Sequence, residues 1–175
     1  MVRRCIFVAR GAVVVDLDEG RLLARFIPLS HRFVVMTLSG RVLRTFTAPG
    51  ASFLRGTLIY FQQGKDVVRY SMNRPSVRRR WSVHTSLDGG PSLVDIRGGY
   101  AVLMALYGGN RFVLLRLRDG KEVAFRPPEG RIASVSFGRS GLYYAHDLPS
   151  HFDRGRFLFP SAVRLLSWPN IAALF

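Results

Sequence analysis

The feature that most constrains this chain is a recurring pair of short strands joined at a glycine. Gly56, Gly99 and Gly141 stand 43 and 42 residues apart. Each separates two apolar runs, at 51–55 and 57–62, 92–97 and 100–107, and 132–137 and 142–145. An independent marker is aromatic: Trp81 and Phe125, 44 residues apart, each close a hairpin, over 67–81 and 111–125. Two markers with one period, and almost no helical periodicity, leave little room for anything but a repeated four-stranded unit.

The stretch 111–118, RFVLLRLR, shows how the pattern reads locally. Side chains alternate faces along a strand, so Val113, Leu115 and Leu117 are expected on a buried face, with Arg116 and Arg118 exposed. Asp119-Gly120 follows, a dipeptide suited to a two-residue hairpin with positive φ at both positions. Hairpins of the same kind are read at 13–26 and 33–46, ending on Phe26 and Phe46. Those two aromatics are only 20 residues apart, half the period. Either a unit there has lost two strands, or the chain begins inside an array.

A period of about 40–45 residues holding four strands is the mark of a propeller blade. On period and strand order, residues 5–146 resemble the β-propeller repeats of WD40-like and TolB-like proteins. The Gly-His and Trp-Asp signatures of WD40 repeats are missing, so the TolB-like or generic propeller is the nearer likeness. The resemblance implies an all-β, propeller-like array of about four antiparallel four-stranded blades, complete or incomplete. Blades are expected over 1–148, irregular before residue 50. Residues 149–175 are expected to form a C-terminal loop, a short strand at 156–159 and a short helix over 161–168, capped by Ser161 and ended by Pro169.

Other classes drop out. The lone Cys5 excludes an intramolecular disulfide framework and a cysteine-based zinc site, and leaves both cytosolic and exported locations open. No apolar run reaches the roughly 18 residues of a membrane span. Met1–Arg4 has the charge of a signal-peptide start, but Arg10 interrupts the apolar stretch and acidic residues follow. The start is therefore read as an uncleaved strand. There is no G-x-S-x-G elbow or P-loop, and the paired glycines at 98–99 and 108–109 precede no helix. The expectation is a non-enzymatic chain with no cofactor.

Two constellations stand out. His146, Asp147, His151 and Asp153 share one loop, HDLPSHFD, with ligand types that can hold a divalent metal. Arg78, Arg79, Arg80 and Trp81 put three guanidinium groups beside an aromatic, a combination that can grip phosphates and stack a base. Solvated arginines on an outer strand are the plainer alternative.

Charge sharpens the second case. The net charge is +15, and 24 of the 26 basic residues are arginine. That exceeds the roughly 2–8 of an ordinary small domain, although a GC-rich coding bias would also favour arginine. The sequence thus points to an interaction scaffold that binds a protein partner or itself through loops or open strand edges. Arginine-mediated binding of nucleic acid or another polyanion is the alternative. An incomplete array is expected either to dimerise or to belong to a longer propeller.

Overall fold

A computed structural model describes residues 12–26, 31–50, 52–74, 78–105, 109–128, 131–148, 151–153, 156–158 and 161–175, with the side chains of 151–158 excepted. The expected strand before Arg10 lies outside these residues. The chain divides into two compact units, Met1–Trp81 and Ser82–Phe175.

The first unit holds two antiparallel sheets. β1 (Ala12–Asp18), β2 (Arg21–Phe26), β3 (Arg32–Thr37) and β4 (Val42–Thr47) form one, in chain order. β5 (Ser52–Arg55), β6 (Leu58–Gln63), β7 (Asp66–Ser71) and β8 (Arg78–Ser82) form the other, again in chain order. The half-blade reading of the N-terminal part is therefore corrected. Phe26 ends β2 and Phe46 lies on β4, so the two aromatics mark successive hairpins of one whole sheet. Phe46, Trp81 and Phe125 are the equivalent outer-strand aromatics; the repeat from Phe46 to Trp81 is short, at 35 residues against 44 from Trp81 to Phe125.

The second unit repeats the plan. β9 (Pro91–Arg97), β10 (Tyr100–Ala105), β11 (Phe112–Arg116) and β12 (Glu122–Phe125) form a third four-stranded sheet. β13 (Ile132–Phe137) and β14 (Gly141–Asp147) begin a fourth. A small ribbon of β15 (His151–Asp153) and β16 (Arg156–Leu158) intervenes before β17 (Ser161–Ser167) completes that sheet in the order β13-β14-β17. The segment expected to be helical from Ser161 is thus a strand, paired with β14 from Asp147↔Ser161 to Gly141↔Ser167. α1 (Trp168–Ala173) starts only afterwards, with Ser167 at its N-cap. Pro169 opens this helix rather than ending it, because the first turn needs no N–H from that residue.

In each unit the core lies between the paired sheets. Leu23, Phe33 and Val35 of the first sheet meet Leu54, Ile59, Phe61 and Val68 of the second. Val102, Met104, Phe112 and Leu114 meet Ile132, Val135, Phe137 and Leu142, with Ile171 of α1 added. The middle strands are buried on both faces: Leu22, Ala24, Val34 and Met36 form a further cluster behind the first sheet.

This corrects the reading of 111–118. Val113, Leu115 and Leu117 are buried and Arg118 is exposed, as alternation predicts. Phe112, Leu114 and Arg116 are buried too. The strand ends at Arg116, and a four-residue turn follows, closed by Arg116 N–H to the Lys121 carbonyl and Gly120 N–H to the Arg116 carbonyl. Of Asp119 and Gly120, only the glycine has positive φ. Arg116 is tolerated in the interior because its Nε and Nη2 donate to both Asp119 oxygens, at 3.0 and 2.7 Å, and its guanidinium lies 4.7 Å from the Phe175 ring centre.

Candidate functional site

The first two members of the metal-type cluster do not share a face. His146 and Asp147 are consecutive on β14, so the pleat sends them to opposite faces. His146 is fully buried beside Tyr144, and neither ring nitrogen has a hydrogen-bond partner among the described residues, while Asp147 is exposed. The side chains of His151 and Asp153 lie outside the described residues; their backbone sits on β15. Among the described residues no three His, Cys, Asp or Glu side chains gather as ligands would.

The arginine run on β8 is divided among separate tasks. Arg80 reaches Asp66 on β7 at 3.3 Å and donates to Gln63 on β6. Arg79 lies over the buried Trp81 ring at 5.3 Å, with Arg69 at 5.8 Å. Arg80 thus holds the outer strand to its own sheet, while the stacking of Arg79 stays within β8. Arg78 differs: it is exposed and lines a concave site of about 430 Å³.

That site is built by four strands. β4 contributes Arg44 and Phe46, β6 contributes Phe61 and Gln63, β7 contributes Tyr70, and β8 contributes Arg78. Its aromatic part is continuous: Phe33 stacks on Phe46 at 5.3 Å, Phe46 meets Tyr70 edge-on at 5.5 Å, and Phe61 meets Tyr70 at 5.8 Å. The Tyr70 hydroxyl is buried and has no hydrogen-bond partner among the described residues. Burial raises its pKa strongly, opposed by the positive fields of Arg44 and Arg78, so at neutral pH it is an O–H donor. Neither Arg44 nor Arg78 has an acidic partner among the described residues.

Arg44 was not singled out by the sequence. It lies on a different hairpin from Tyr70 and Arg78, and only the packing of two sheets brings it to them. The one signal available was Phe46, whose place in the aromatic series marks the outer strand that carries Arg44.

The acidic residues show what joins one sheet to the next. At a bulge in β1, Asp16 accepts the Leu17 N–H with one oxygen and the Leu54 N–H of β5 with the other, at 2.9 Å each. The second oxygen also meets Arg55 at 2.7 Å. Asp95 repeats this in β9: it accepts its neighbour Ile96 N–H at 2.7 Å and, across to β13, Phe137 N–H at 2.8 Å and the Ser136 hydroxyl. These carboxylates are the repeat's own joint, and the sequence reading missed them.

The sequence matches no protein-family model and no curated protein. Solved structures do match. A Saccharomyces cerevisiae complex of Dbp5 L327V bound to Nup159, Gle1 H337R, IP6 and ADP aligns with a TM-score of 0.54 at 13% identity, over 83% of this chain and 42% of that one. The N-terminal domain of Nup159 aligns with a TM-score of 0.54 at 12% identity, over 89% of this chain and 45% of that one. The sheets are propeller blades. The chain spans less than half the length of these propeller-type structures. The expected blade array is present, and no helix among the described residues is long and apolar enough to cross a membrane.

Proposed function

We propose that this chain is a non-enzymatic propeller module that binds a protein partner through an open strand edge. The observation that carries the reading is β17. It closes the only sheet of three strands among the described blades, and no described strand pairs with its far side. Val163 and Leu165 stand exposed along it at 67% and 46%, beside Tyr143 of β14. An apolar edge strand is a template for another strand, which would supply main-chain bonds and pack its own side chains on the exposed face. The non-enzymatic part rests on how polar groups are used. Asp16 and Asp95 hold backbone amides between sheets, and Glu122 accepts the N–H groups of His84 and Thr85.

The test compares the wild-type chain with a Val163→Lys, Leu165→Lys variant, by light scattering and by affinity capture. Wild-type protein should self-associate or retain a stoichiometric partner, and the variant should lose it with its thermal melt unchanged. Equal recoveries from both would remove the edge from consideration.

A further inference from the structure

We infer that the concave site between β4 and β6–β8 binds a phosphate monoester carried on an aromatic or apolar body. The inference does not depend on the edge of β17, because the site lies wholly within the first unit.

The donor set argues for the charge of the ligand. Two guanidinium groups, Arg44 and Arg78, line one cavity without an acidic partner among the described residues, and no described Asp or Glu lines it. A single carboxylate would neutralise one of two fixed charges. A phosphate monoester carries about −1.5 to −2 near pH 7 and offers three acceptor oxygens. Arginine forks match such oxygens with paired, charge-assisted bonds.

The buried Tyr70 hydroxyl argues for a ligand independently. A buried O–H without a partner among the described residues is unfavourable, and native structures leave few such groups unexplained. Here it stands in the positive field of both arginines. A phosphate held by Arg44 and Arg78 would stand beside this ring, and the hydroxyl would join them only through a small opening of the site. The remainder of the cavity is aromatic, with Phe46 and Phe61 flanking Tyr70. Free phosphate fills little of about 430 Å³; an aryl group attached to it would cover those rings.

The contrast along β8 gives selectivity within the arginine run. Arg80 is engaged by Asp66 and Gln63, and Arg79 lies on Trp81. Only Arg78 of the three faces the cavity. A general polyanion surface would use all three alike.

Calorimetry on the full chain decides the matter, with phenyl phosphate, inorganic phosphate, benzoate, a phosphotyrosine peptide and a single-stranded oligonucleotide as probes. Phenyl phosphate should bind at least tenfold more tightly than inorganic phosphate or benzoate. Arg44→Gln and Arg78→Gln should each weaken it about tenfold or more, while Arg79→Gln should not. Tyr70→Phe should weaken binding by a smaller factor and leave the melting temperature unchanged or higher, since it removes the unpaired hydroxyl. A phosphotyrosine peptide that binds more tightly than phenyl phosphate identifies a modified protein as the source; the reverse identifies a small molecule. Tightest binding by the oligonucleotide, no binding of phenyl phosphate at millimolar concentration, or indifference to Arg44→Gln and Arg78→Gln would each overturn the proposal.

Discussion

Leu115 and Arg116 are neighbours on one strand, both buried, and stabilised by different physics. Leu115 is completely buried. Leu115→Ala should destabilise the fold by about 2–5 kcal/mol, the range for truncating a large core residue, read from urea denaturation. Arg116 depends on its carboxylate partner. The Arg116 hydrogen bonds hold the Asp119 carboxyl at a pKa of about 2, against an ordinary 3.8. A depressed carboxylate pKa stabilises the fold above the unfolded value near 3.8, and that contribution is lost as pH falls through about 2. An NMR titration of the Asp119 carboxyl should show a midpoint near 2, and Asp119→Asn should flatten the stability profile between pH 4 and 2. Alternation alone predicted Arg116 exposed. It lacked the information that a residue three positions on would fold back to neutralise it.

At the scale of elements, the strand pairs joined at Gly56, Gly99 and Gly141 were legible because local chemistry marks their turns. The first blade was misjudged because Phe26, at the end of an inner hairpin, imitates the outer-strand aromatic. The last strand was misjudged because SAVRLLS has apolar spacing compatible with either period. Its pairing to β14 decides the matter and is long-range in sequence. The joints made by Asp16 and Asp95 escaped notice for a similar reason: a carboxylate aimed at a backbone N–H some 40 residues away leaves no pattern in its own strand. Asp95→Ala should strip two N–H donors and the Ser136 hydroxyl of their acceptor, and destabilise the second unit by about 1–3 kcal/mol. Hydrogen exchange at the Phe137 amide should accelerate more than at amides inside the β10–β11 pairing. Gly98 offers another test. It has a φ of +59°, and an added Cβ would stand 3.0 Å from the Trp168 ring, so Gly98→Ala should displace α1 and change tryptophan fluorescence.

For the whole molecule, a net charge of +15 must be accommodated somewhere. Arg55, Arg80 and Arg116 are each matched to an aspartate within their own unit. Much of the remaining positive charge is uncompensated and repels itself. Added salt should therefore raise the melting temperature, and phosphate should raise it beyond chloride at equal ionic strength because it also occupies the site at Arg44 and Arg78. Scanning calorimetry of the wild type and Arg78→Gln separates the two effects: the general rise should persist in the variant and the extra phosphate effect should vanish.

The aspartate joints have a consequence for how such a chain can change over time. Each is a side chain on one sheet reading the main chain of the next. The group it binds, a donating N–H, is present at every residue except proline. The side chains that join in, Arg55 and the Ser136 hydroxyl, differ between the two joints, so the main-chain bond alone is common to both. The accepting blade needs its aspartate after the bulge, and the blade that donates needs a strand of the right register. Units joined in this way can be duplicated, exchanged or drift apart in sequence while their attachment is kept, much as couplings of one gauge allow wagons of any build to be run together.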